Sequence, residues 1–261
     1  MSLTDKSPAE TYKDITYVDN TNNGVTTSLK QIKTGSGGST SLQVSDRALL
    51  VKSATNNTTA LDVQNASGTS KLLVDTTNNY VKANGVHVNT AYAYYGASAN
   101  SSVWAGALAN THYAVPFYQA NTTDGLLAIG TSTDPDTSLT FTSGVKALVS
   151  TMWFVMDNIT IDRVIWWSAA DASTGDTTRC HLMSYDIDDD NGSTGGDISS
   201  GTVLADGSDI TNAGNEQGYY QQMTIQSADV TAGKVILFVF RSDSVNSDFT
   251  INATIKYHIT G

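Results

Sequence analysis

Glutamate is nearly missing from this sequence: only Glu10 and Glu216 occur among 261 residues. Lys and Arg together number 14, and charged residues make up 15% of the chain. A typical soluble domain has about 25%. So few Glu and Lys leave few good formers for exposed helical faces, which argues against a helical protein. The single cysteine, Cys180, has no partner for an internal disulfide, so nothing implies an oxidising compartment. No apolar run reaches the ~18 residues of a spanning helix, so no membrane insertion is expected. Residues 1–14 hold no apolar stretch of the kind a secretory signal needs, so none is expected.

Uncharged polar residues take the place of the charged ones. Thr occurs 36 times, and all but two of the 25 acidic residues are Asp. The branched Cβ of Thr suits a pleated surface. Asp and Asn suit turns, because their side chains bond nearby backbone groups. Composition therefore predicts many strands joined by polar turns. The formal net charge of −11 repels nucleic acid and anionic membrane at long range and disfavours both as partners, so neither is expected.

Residues 1–40 are polar and cannot bury a core alone; they end in the Gly/Ser run Thr34–Thr40. Over residues 41–85 a short pattern recurs. Leu42-Gln-Val44 returns as Leu61-Asp-Val63 and, more loosely, as Leu72-Leu-Val74. Each copy precedes a turn, such as Asn65–Gly68, Thr76–Asn79 or Asn84-Gly85. Strands this short cannot form an independent core in ~45 residues. Around a three-fold axis, however, Leu42, Val44, Leu61, Val63, Leu72 and Val74 could be buried by two sister chains. An ordinary meander packed on its own C-terminal domain is the plainer alternative. Residues 86–120, with Tyr92, Tyr94, Tyr95, Trp104 and Tyr113 among small residues, read as a neck.

Residues 121–261 predict an antiparallel sandwich of eight or nine strands, a jelly roll. Phe249, Ile251, Ala253, Ile255, Tyr257 and Ile259 alternate with polar residues, the period of a half-buried strand. Val235–Phe240 and Leu148–Met156 are apolar on both faces, so each needs a second cover, which a subunit interface would supply.

For chemistry, the Gly35–Gly38 cluster lacks the Lys-Ser/Thr of a phosphate loop. The four histidines (His87, His112, His181, His258) lack metal-ligand spacing and read as surface or interface residues. No G-x-S-x-G elbow occurs. Enzymatic activity is not expected. Asp186, Asp188 and Asp190 alternate as in a calcium loop, although Asn191 stands where such loops have Gly; an acidic hairpin is the plainer reading. No other cofactor is implied.

Exposed aromatics are the best lead for ligand binding. Trp166 and Trp167 point to opposite faces of one strand. The polar neighbours of Trp166 place it outward, where a sister subunit would cover it or a sugar ring would stack on it. One of Tyr219 and Tyr220 should face outward as well.

Three segments carry a resemblance. Leu61–Lys82 resembles stretches common in fibre and appendage proteins of marine tailed phages. Ser227–Arg241 is similar to the penultimate strands of phage jelly-roll tips, and Ser7–Asp14 with Val18-Asp-Asn20 resembles virion-anchoring N-termini. The resemblance implies a homotrimer, anchored to phage capsid or tail proteins through residues 1–40. A trimeric β shaft and neck would follow at 41–120, and a tip at 121–261 would recognise host-surface glycan. It carries over no catalytic residues. The rival reading is capsid decoration or a head fibre that stabilises the shell; a carbohydrate-binding module is a third.

Overall fold

The turn chemistry divides the chain into many short strands, and the computed structural model is all-β. It describes residues 16–21, 23–98, 107–118, 127–140, 150–170, 174–188, 197–244 and 249–260. Two units separate between Val88 and Asn89. The first unit holds two four-stranded antiparallel meanders. One runs through β1 (Thr16–Val18), β2 (Lys30–Thr34), β3 (Ser39–Val44) and β4 (Leu49–Val51). The other runs through β5 (Leu61–Gln64), β6 (Ser70–Asp75), β7 (Tyr80–Ala83) and β8 (Val86–His87). Local chemistry sets the turns. Asn65 Oδ1 accepts from the backbone N–H of Ser67 and Thr69 between β5 and β6. Asn84 and Gly85 both have positive φ, as the tight β7–β8 hairpin requires.

The second unit contains β9 (Thr90–Ala97), β10 (Thr111–Ala114), β11 (Trp153–Phe154), β12 (Ile159–Ala170), β13 (Thr177–Ile187) and β14 (Ile198–Asp206). It continues with β15 (Ile210–Thr211), β16 (Gln217–Gln222), β17 (Thr224–Ile225), β18 (Asp229–Val230), β19 (Val235–Ser242) and β20 (Phe249–Ile259). One sheet has the order β16-β12-β20-β9 and the other β10-β19-β13-β14, with short strands added at the margins. The eight strands of those two orders alternate between the sheets along the chain except at the β13–β14 hairpin. That order and that alternation define a jelly roll. Between the sheets lie Tyr95, Trp166, Leu182, Phe238, Phe249 and Ile251, all buried. The Tyr95 hydroxyl donates to the Ile236 carbonyl at 2.8 Å, joining the sheets through the core. β9 and β20 lie side by side, with Thr90 opposite His258, and Asn89 Nδ2 donates to the Ile259 carbonyl.

Three expectations change. β1 and β2 pair into the first meander, so the segment from Thr16 to Thr34, expected to lack a fold of its own, contributes two strands; its alternation is too polar to stand out. The segment read as a neck supplies β9 and β10, two full strands of the sandwich. The second cover for β19 is intramolecular. Ile236, Phe238 and Phe240 face the core, whereas Val235, Leu237 and Val239 lie under Leu127, Ile129 and Leu139 of the chain's own 127–140 segment. Trp153 and Val155 are buried while Phe154 and Met156 are exposed, so that stretch has one covered face. Leu148 and Val149 of that run lie outside the described residues, as do residues 1–15 of the expected anchor.

Candidate functional site

Two surfaces follow from this architecture. The first belongs to the meanders. Cross-strand register aligns Leu61, Val74 and Val81 in one row and Val63, Leu72 and Ala83 in the next. Leu42 pairs with Val51 and Val44 with Leu49 in the other meander. Each meander thus has one aliphatic face, and among the described residues no side chain of either face is fully buried. Among the described residues before Asn89, the only buried one is Asp75, whose carboxylate accepts from the backbone N–H of Thr77 and Asn78. Val63 is 48% exposed and Leu49 66%. Leu61 and Leu72 are exposed, and Leu42, Val44 and Val74 are only half-buried. Fully burying such a side chain is worth about 1.5–3 kcal/mol, and a single chain leaves part of that unrealised, the largest share at Leu49.

The second surface is the outer face of the β16-β12-β20-β9 sheet. Trp166 is not on it. The indole lies in the core with no exposed area, and Trp167 is 41% exposed instead. The cause is a bulge. Ile161 pairs with Tyr257 and Arg163 with Lys256, so Asp162 has no opposite residue and the alternation changes phase there. Ile159 and Ile161 point inward before it; Val164, Trp166 and Ser168 do so after it. Strict alternation from Ile159 therefore assigned both tryptophans to the wrong faces. Trp166, buried between the sheets, cannot meet a ligand.

Tyr220 is the outward tyrosine, 76% exposed, and sits directly opposite Trp167. Tyr219 is half-buried, its hydroxyl donating to Gln217 Oε1. The Trp167 ring lies against the backbone of Gly218, where an added Cβ would come within 2.7 Å of Nε1. Glycine thus lets the indole lie flat. Across the same face Trp167 is followed by Asn252 and Gly96, and the neighbouring row runs Gln222, Ile165, Thr254, Tyr94. Tyr94 is exposed and lies 6.2 Å from Tyr118, ring to ring. The result is a flat surface of aromatic rings separated by amides and hydroxyls.

The acidic loop is brought together only in part. Asp186 pairs with Lys234, and that ammonium holds its carboxyl below the usual range. The Asp188 N–H donates to the Asp197 carbonyl across the hairpin. Asp190 lies outside the described residues. Among the described residues no three His, Cys, Asp or Glu converge as a metal site would require.

Sequence reasoning missed a polar cluster on the outer face of the β10-β19-β13-β14 sheet. His112 and His181 are fully buried there, their rings 5.1 Å apart. His181 Nε2 lies 3.2 Å from Asp206 and 3.4 Å from Asp134, without hydrogen-bond alignment to either. Burial pushes His112 down to about 4, and nearby His181 and Arg241 act in the same direction. Burial lowers His181 too, with Asp206 opposing. The signal was present in Arg179-Cys180-His181 and Arg241, polar residues alternating with core residues on strands that are otherwise apolar. No protein-family model matches this chain, and no curated protein matches it significantly.

Proposed function

We propose that the chain is a structural protein of a tailed-phage virion, a trimeric fibre whose jelly-roll tip recognises the host surface. The observation that carries this reading is the pair of partly exposed aliphatic faces in residues 16–88. A sheet with one apolar face must bury it against something. Sister chains, bringing the same Leu and Val rows, supply a matching surface at no cost in new sequence. Anchoring to capsid or tail proteins is assigned to the N-terminal end.

Recognition is assigned to the tip. The Trp167–Tyr220 pair, with Asn252, Thr254 and Tyr94, offers ring faces and hydrogen-bonding groups together, which suits the apolar and hydroxyl faces of a sugar. Three linked copies raise effective concentration, so a weak single site suffices.

Light scattering on the full chain tests the assembly. A trimer would weigh three times 27.6 kDa, 82.8 kDa. A monomer overturns the assembly. Binding to host envelope fractions and a glycan array tests recognition; binding unchanged in Trp167→Ala and Tyr220→Ala overturns this placement of the site.

A further inference from the structure

The polar cluster on the opposite sheet of the jelly roll belongs to neither surface above. Within it, Arg179 of β13 and Arg241 of β19 are directly opposed cross-strand partners. Opposed like charges destabilise a sheet unless something compensates them. Arg179 is compensated. Its Nε and Nη2 donate to the two oxygens of Asp206 at 3.1 and 2.7 Å, and Nη1 lies 3.7 Å from Asp209. Arg241 is not. Its Nη2 donates to Asn110 Oδ1 at 2.9 Å, while its Nε is sealed from water and bonds to nothing. Among the described residues no carboxylate forms an ion pair with it.

Both guanidinium groups line a cleft of about 290 Å³, bounded also by Asn110, Thr177, Asp209 and Asp243. That volume suits a small ligand rather than a macromolecule. A guanidinium short of partners and opposed to its like is relieved by an incoming oxyanion, whose planar fork it matches. The rim is not uniformly basic. Asp209 and Asp243 would repel a polyanion, but each can accept a hydroxyl. The occupant therefore carries one anionic group and several hydroxyls.

We propose that this cleft binds an acidic sugar, its carboxylate on Arg241 and its hydroxyls on Asp209 and Asp243. The site is separate from the aromatic face and does not depend on the oligomeric state.

Calorimetric titration of the full chain at constant ionic strength tests this with glucuronate, glucose, acetate and sulfate. Glucuronate is expected to bind about tenfold more tightly than the other three. Arg241→Gln should remove that advantage, while Lys71→Gln, the same charge change on the other unit, should keep it. If Arg241→Gln fails to fold, Arg241→Lys answers instead, because it keeps the charge and loses the fork. Weaker glucuronate binding is expected there too. Glucuronate binding that survives the substitution overturns the site. Acetate or sulfate binding as tightly as glucuronate overturns the sugar, leaving a bare oxyanion cleft.

Discussion

Residues 16–88 and residues 89–261 use the same strand chemistry and reach opposite ends. The meanders have paired strands, satisfied turns and aligned Leu and Val rows, yet bury none of those rows. The jelly roll stacks two sheets and then covers the outside of one of them with its own 127–140 segment. Hydrogen-bonded pairing is therefore not what separates a unit that buries its apolar rows from one that leaves them partly exposed. The separation lies in whether a second layer from the same chain reaches the apolar face.

The largest effect expected is on assembly. Charging the meander face in the full chain with Leu61→Asp and Leu72→Asp should reduce the solution mass to that of one chain. The jelly-roll melting transition should be unmoved. A trimer that survives both changes would break the comparison. Within the jelly roll, Trp166→Ala should cost about 3–5 kcal/mol in urea unfolding, as large core truncations do. Trp167→Ala should cost roughly 1 kcal/mol, because its ring is on the surface. Equal costs would mean that the bulge at Asp162 is misplaced.

Acid should weaken the jelly roll specifically. An unfolded histidine takes its proton near pH 6.5, whereas folded His112 holds off until about 4. The unfolded state therefore binds more protons between those limits. Stability is fully present above about 6.5 and is lost as pH falls toward 4, by on the order of 3 kcal/mol. His181, lowered as well, adds to the loss. Urea midpoints at pH 7 and 4.5 should show it, and His112→Phe should flatten the slope. The smallest effect belongs to Gly85→Ala. Its φ of +81° disfavours a side chain, so the second meander should lose about 1 kcal/mol, read as faster amide exchange in β7 and β8 alone.

Much of this was legible in the sequence. The Thr and Asp composition predicted strands and turns, and the alternation of Phe249–Ile259 marked β20 correctly. The Asn65–Gly68 and Asn84-Gly85 turns fall where expected, and the partly exposed Leu and Val rows follow from strand length. What escaped has physical causes. One extra residue at Asp162 reverses the facing of everything after it, and no pattern with a fixed period contains that information. The cover on β19 comes from a segment about a hundred residues earlier, and sequence distance hides it. Arg179, His181 and Arg241 lie on separate strands, or two apart on one, and only the sheet register makes them a cluster.

The side-by-side placement of β9 and β20 has a practical reach. The jelly roll begins and finishes on neighbouring strands at one end of one sheet, while Ala97, Ala170 and Phe249 occupy that sheet's other end. A passenger fused after Thr260 would leave beside Asn89, at the root through which the domain joins the rest of the chain. A short linker from Thr260 to Asn89 would, by the same placement, allow new termini to be cut at the far rim. That rearranged domain would carry its passenger at the end opposite Asn89.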